Sequence, residues 1–166
     1  MKVDGANRRN RILAVDVRPR WLGFAVFDAS TQLLDFGLMR ARSPKIRELR
    51  FVRLIRMFLP RLILIHVRRK QQSRIVRSLA RVPNLSHGFP IVMERVSADK
   101  IRQHFRALGA NNKDEVASLL ARRFPQLSWK VPPPRKRWQH EHQNMPIFDA
   151  IGICLAHLEH NKNSLR

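Results

Sequence analysis

Apolar residues in this chain come in short, nearly unbroken runs separated by polar turn material. Ile12, Leu13, Ala14 and Val15 form one run, which ends directly on Asp16. Residues 21–27 (WLGFAVF) and 33–39 (LLDFGLM) form two more. Runs of this length with turns between them predict three strands in an antiparallel meander. Ser43 then offers a helix N-cap and Pro44 a first helical position, so a basic helix is expected to about Phe58, where Pro60 stops it. Leu62, Ile63, Leu64 and Ile65 predict a buried fourth strand.

Over residues 71–82 the period changes. Ile75, Leu79 and Val82 share one helical face and Arg74, Arg77 and Arg81 another. A loop over residues 83–88 leads to a fifth strand over residues 89–96 (FPIVMERV). After a polar stretch, Val116, Leu119, Leu120 and Phe124 mark a helix starting near Asn112. Residues 126–144, with three consecutive prolines, read as an extended connection, and a last apolar helix runs from about Pro146 to His160. The order predicts an α/β fold with a mixed five-stranded sheet, a three-strand meander plus two parallel strands, flanked by helices. One domain over residues 11–160 is expected, with a basic flexible arm over residues 1–10 and a tail over 161–166.

Composition changes the picture at one point, the charge. Thirty-three Lys and Arg face 12 Asp and Glu, a net +21 in 166 residues. Self-repulsion on that scale is relieved by a polyanion, and nucleic acid is the expected partner because each neutralised phosphate releases counterions. Arg dominates, and its planar fork suits phosphate oxygens. The expected binding residues are Arg68, Arg69, Lys70, the face of Arg74, Arg77 and Arg81, Lys113, and Arg135, Lys136 and Arg137 beside Trp138, an aromatic for stacking. Each run taken alone also reads as a solvated face. The single cysteine, Cys154, excludes an internal disulfide framework and a Cys-rich zinc module. No apolar stretch approaches the length of a membrane span, and the basic N-terminus lacks a secretory signal's apolar segment, so a cytoplasmic, nucleoid-associated protein is expected.

In so basic a chain, an acid at the edge of an apolar element stands out. Asp16 closes the first strand, with Gly23 seven residues on. Asp149 lies in the first turns of the last helix and shares a stripe with Gly152, Ile153 and Ala156, so it should face protein. A buried carboxylate needs a metal, a partner or its own helix terminus. Converging carboxylates that hold Mg²⁺ or Mn²⁺ are how phosphodiesters are hydrolysed. A strand-end turn for Asp16 and a helix cap for Asp149 are the plainer alternatives. His140 and His142, with no Cys nearby, make a weak zinc signal.

An apolar strand, Asp, and Gly at plus seven resembles the opening of the RuvC-type Holliday-junction resolvases, usually Asp-Pro-Gly-x-x-x-x-Gly. Here the stretch is Asp16-Val17-Arg18-Pro19-Arg20-Trp21-Leu22-Gly23, without the Pro-Gly. Residues 95–101 and the stretch Asn112-Lys113-Asp114-Glu115-Val116-Ala117 are similar to the family's late strand and Lys-containing helix. Phe148-Asp149-Ala150, running on to His157, resembles its terminal helix. The resemblance implies a ribonuclease H-like fold, dependence on Mg²⁺, a homodimer, and cleavage of branched DNA. Asp16 and Asp149 match the family's first-strand and last-helix metal ligands. Its fourth-strand Glu falls on His66, a poor ligand for Mg²⁺. Its acid or His three residues before the last Asp falls on Pro146. Glu141 is then a replacement ligand or a solvated loop residue, and Glu94 competes with His66 if the strand count shifts by one. The position of the Lys113 helix favours His66.

The expected function is therefore a metal-dependent endonuclease on structured DNA, with Asp16, Asp149 and Glu141 or His66 at its centre. The alternative is a catalytically degenerate module of the same fold that only binds DNA or RNA, within a larger nucleoprotein complex. An RNA-processing nuclease also fits.

Overall fold

The computed structural model describes residues 10–66, 77, 79, 81, 90–136 and 138–163. Strands β1 (Ile12–Val17), β2 (Trp21–Phe27) and β3 (Leu33–Arg40) form the meander, and β4 (Leu62–His66) and β5 (Val92–Arg95) complete the sheet. Its order is β3-β2-β1-β4-β5. The β1–β2 and β2–β3 pairs are antiparallel, and β1–β4 and β4–β5 are parallel. The expected mixed sheet is therefore present, with a shorter fifth strand than residues 89–96.

The unbroken apolar runs of β1, β2 and β4 are explained by burial on both sides of the sheet. Ile12, Ala14, Ala25, Phe27 and Leu64 belong to one core. Leu13, Val15, Val17, Leu22, Phe24, Val26, Ile63 and Ile65 belong to the other. This is the period of two that a strand imposes on its side chains.

Helix α1 (Pro44–Phe58) covers the second core with Phe51, Leu54, Ile55 and Phe58. Ser43 caps it, its hydroxyl accepting from Ile46 N, and Leu59 ends it in a left-handed conformation (φ 47°) ahead of Pro60. Of the arginine face expected over residues 71–82, Arg77 and Arg81 are exposed and Leu79 is buried in the second core. The remaining residues of that stretch lie outside the described residues.

The first core is covered by α4 (Met145–Asn163), in which Ile147, Phe148, Ala150, Ile151, Ile153, Cys154 and Leu155 are all buried. Burial pushes the Cys154 thiol far above its usual range, so it packs as an inert apolar group. Beside α4 lie α2 (Ala98–Ala107) and α3 (Lys113–Arg123). Helix α2 falls where the sequence shows only a polar stretch. Within it, only Phe105 is buried, and its start is set by Ser97, whose hydroxyl accepts from Lys100 N. Helix α3 starts at Asn112 as expected. The Asn112 side chain accepts from Glu115 N at 2.9 Å, and the Glu115 carboxylate returns to Asn111 N at 2.6 Å. The connection over residues 126–144 holds one short 3₁₀ turn, Pro125–Lys130.

Candidate functional site

The site forms where β1 and β4 end. Asp16 lies opposite Gly23 on β2 and His66 on β4, and strand alternation turns all three toward α4. Gly23 is required by contact, not by conformation. A β-carbon there would lie 2.2 Å from the Pro146 carbonyl oxygen, so the backbone of α4 rests on this residue. The glycine seven residues after Asp16 thus seats the helix start that carries Asp149.

Asp16 is wholly buried. What joins it to Asp149 is Arg18, from the short turn between β1 and β2. Arg18 Nε donates to Asp16 Oδ2 at 2.7 Å, Nη1 to Glu141 Oε2 at 2.5 Å and Nη2 to Asp149 Oδ2 at 2.5 Å. Lys113, at the start of α3, pairs with Glu141 and lies 3.3 Å from Asp149 Oδ2. Three carboxylates from a strand, a connection and a helix therefore share one guanidinium, which offsets their mutual repulsion. Burial works to lower the Arg18 pKa, but the charges of Asp16 and Asp149, the hydrogen bond from Asp16 and the charge of Glu141 outweigh it and raise it above the ordinary guanidinium range. Arg18 is a permanent cation.

Of the sequence-expected residues, Asp16, Glu141, Asp149 and Lys113 meet here. His66 is buried at the end of β4, its Nδ1 donating to Val96 O at 2.9 Å. It lines, with Lys113 and Asp149, a cleft of about 350 Å³ walled by Ile101 and Phe105 of α2 and Phe148 and Gly152 of α4. Glu94 is elsewhere on β5, half-exposed, with Oε2 3.5 Å from His157 Nδ1. His140 is exposed, and His142 Nδ1 accepts from Asn144 N.

Arg135, Lys136 and Trp138 are exposed, and Lys136 Nζ lies 5.4 Å from the Trp138 ring centroid. Arg68, Arg69, Lys70, Arg74 and Arg137 lie outside the described residues. Two residues escaped the sequence reading. Trp129 is 73% exposed beneath Lys130 Nζ, 4.0 Å from its ring centroid. Arg18 stands two residues after Asp16, where the resembled motif has glycine, and that departure was the available signal.

The donors around Arg18 are of the right chemistry for Mg²⁺ or Mn²⁺, three carboxylates. Their arrangement does not fit an ion. The guanidinium stands between them, and among the described residues no three His, Cys, Asp or Glu side chains are grouped so as to hold one metal.

No family profile matches the chain, and no curated protein matches it. Solved structures do. Thermus thermophilus RuvC in complex with a Holliday junction substrate is 18% identical with a TM-score of 0.59, covering 93% of this chain and 96% of that one. The fowlpox virus Holliday junction resolvase is 12% identical at a TM-score of 0.57, covering 90% and 99%. The yeast mitochondrial Holliday junction resolvase is 13% identical at 0.55, covering 93% and 84%. At these identities the likeness establishes the fold. The chain has the ribonuclease H-like fold of the RuvC-type resolvases.

Proposed function

We propose that this chain binds branched DNA, a four-way junction or a related structured duplex, through its basic surface. The observation that carries this reading is a resolvase fold on a chain of +21 charge. Exposed Arg77, Arg81, Arg135 and Lys136 supply phosphate contacts, with Trp138 beside Lys136 for an unstacked base. A homodimer would match the twofold symmetry of a four-way junction, and a protein so bound would travel with the nucleoid. Structured RNA offers the same phosphates and enters the test as a competitor.

The test is a gel-shift titration in EDTA with a four-way junction and a linear duplex of equal length. Junction binding is expected to be about tenfold tighter and to weaken by orders of magnitude between about 50 and 200 mM salt. Equal affinity for the two DNAs would remove the junction from the proposal, and a flat salt response would remove its electrostatic basis.

A second reading, a metal-dependent endonuclease, is favoured by a separate observation. Three of only 12 acids converge from distant parts of the chain, which a simple ion pair does not require. A divalent ion would there activate water and stabilise the leaving oxygen. The reading requires Arg18 to leave the carboxylates, and His66 in place of a carboxylate favours Mn²⁺ over Mg²⁺. Junction cleavage in Mn²⁺ that disappears with Asp149→Asn, while binding persists, would decide for it.

A further inference from the structure

We propose that Arg18 is a built-in cation that holds the place of a divalent metal ion, so that guanidinium and metal exclude each other at this centre. The inference rests on the second reading above, in which Asp16, Glu141 and Asp149 are the hydrolytic carboxylates.

The geometry carries it. An arginine fork usually meets one carboxylate with two parallel bonds. Here each of its three nitrogens takes an oxygen from a different carboxylate, two of them more than 120 residues away in sequence. A hard divalent cation would draw on the same oxygens, at about 2.0–2.6 Å from a single point. The guanidinium holds them around a flat ion several atoms wide instead. An oxygen engaged by one cation is lost to the other, so the two compete.

The backbone that aims Arg18 is pinned on several sides. Arg18 N donates to Trp21 O at 2.9 Å, Ala41 N to Arg20 O at 2.8 Å, and the buried Arg47 donates through Nη2 to Pro19 O at 2.6 Å. Arg18 therefore enters the cluster from a fixed turn. A guanidinium stays protonated across the working range of pH, so the exclusion ends only when the side chain leaves.

The experiment measures Mn²⁺ uptake, as free Mn²⁺ by electron paramagnetic resonance, together with thermal unfolding in EDTA and in Mn²⁺. Wild type should take up Mn²⁺ feebly. Arg18→Ala should unfold earlier in EDTA, recover in Mn²⁺, and bind it at least about tenfold more tightly than wild type, a typical size for such coupling. Adding Asp149→Asn to Arg18→Ala should abolish the recovery. Should Arg18→Ala not fold, Arg18→Lys decides. It keeps the charge on one nitrogen in place of three, and its Mn²⁺ affinity should exceed that of wild type.

Wild type binding Mn²⁺ as tightly as the Arg18 variants, in a manner lost with Asp149→Asn, overturns the exclusion and leaves the carboxylate centre standing. No uptake by any of these proteins overturns both. Junction binding in EDTA is independent of either result and tests the first reading alone.

Discussion

The two faces of the sheet are packed by helices of opposite character. On one, α1 buries a single stripe, Phe51, Leu54, Ile55 and Phe58, and leaves Leu49 and Met57 exposed among its arginines. On the other, α4 is buried almost all round through Ala156. The first face has the ordinary amphipathic arrangement, in which side chains keep two backbones apart. On the second, the backbone of Pro146 touches Gly23 directly, and Asp16, His66 and Asp149 all lie on that side. The carboxylate cluster sits where the spacing is set by backbone, because backbone contact fixes position more tightly than interdigitated side chains do.

The sharpest way to break this comparison is to add one methyl group to each face. Gly23→Ala puts a β-carbon 2.2 Å from a carbonyl oxygen of α4, which cannot turn aside. A loss of about 3 kcal/mol or more in urea unfolding is expected. Gly37→Ala puts one 2.7 Å from Cε1 of Phe24, on the α1 side, where a ring can rotate away. There the expected cost is about 1 kcal/mol. Equal losses would mean that α4 shifts as easily as a phenyl ring and that Gly23 is no anchor.

Strands β1, β2 and β4 were legible because burial on both faces leaves no polar interruptions, and Asp16 was legible as the point where one such run stops. Asp149 was legible for the same reason, as an acid inside an otherwise apolar helix. Helix α2 was not. Apart from its alanines its apolar residues are Ile101 and Phe105, one turn apart, too thin a stripe to set a period against eight other positions. Glu141 comes from a connection without regular structure, where no periodicity tells which way a side chain faces, and only its nearness to Asp149 in sequence marked it. Arg18 was hidden by composition. Among 33 basic residues one more arginine gives no contrast, whereas each of 12 acids does.

A smaller effect tests the α1 face at the turn that carries Arg18. Arg47 is buried, which lowers its pKa, and among the described residues its Nε has no hydrogen-bond partner, while Nη2 donates to Pro19 O. Arg47→Met keeps the stem, removes a poorly satisfied charge and leaves one carbonyl without its donor. These effects oppose each other, so a net loss of about 1 kcal/mol is expected in the urea midpoint. A loss as large as that of Gly23→Ala would show that the turn depends on Arg47, and that the α1 face also positions the site.

The smallest effect lies at the edge of the α4 face, where α2 meets α4, and it is a dependence on pH. His104 of α2 lies against Phe105, with Nε2 3.4 Å from Glu159 Oε2 of α4, while Arg123 binds the other oxygen of that carboxylate at 2.7 Å. Burial lowers the His104 pKa below the ordinary imidazole range. Glu159 opposes this in part, and Arg123 reinforces it. The unfolded chain therefore takes up a proton near pH 6.5 that the folded chain still refuses. Above that pH both states are neutral at this residue and its contribution is fully present. As pH falls below about 6.5 the contribution drains away, until the pH passes the folded value. In urea unfolding between about pH 7.5 and 5, wild type should lose stability toward acid more steeply than His104→Gln, and the two curves should run parallel above pH 7. The opposite order, with wild type gaining on the variant as pH falls, would mean that His104 takes a proton to pair with Glu159, and that this edge of the α4 face is wetter than its packing implies.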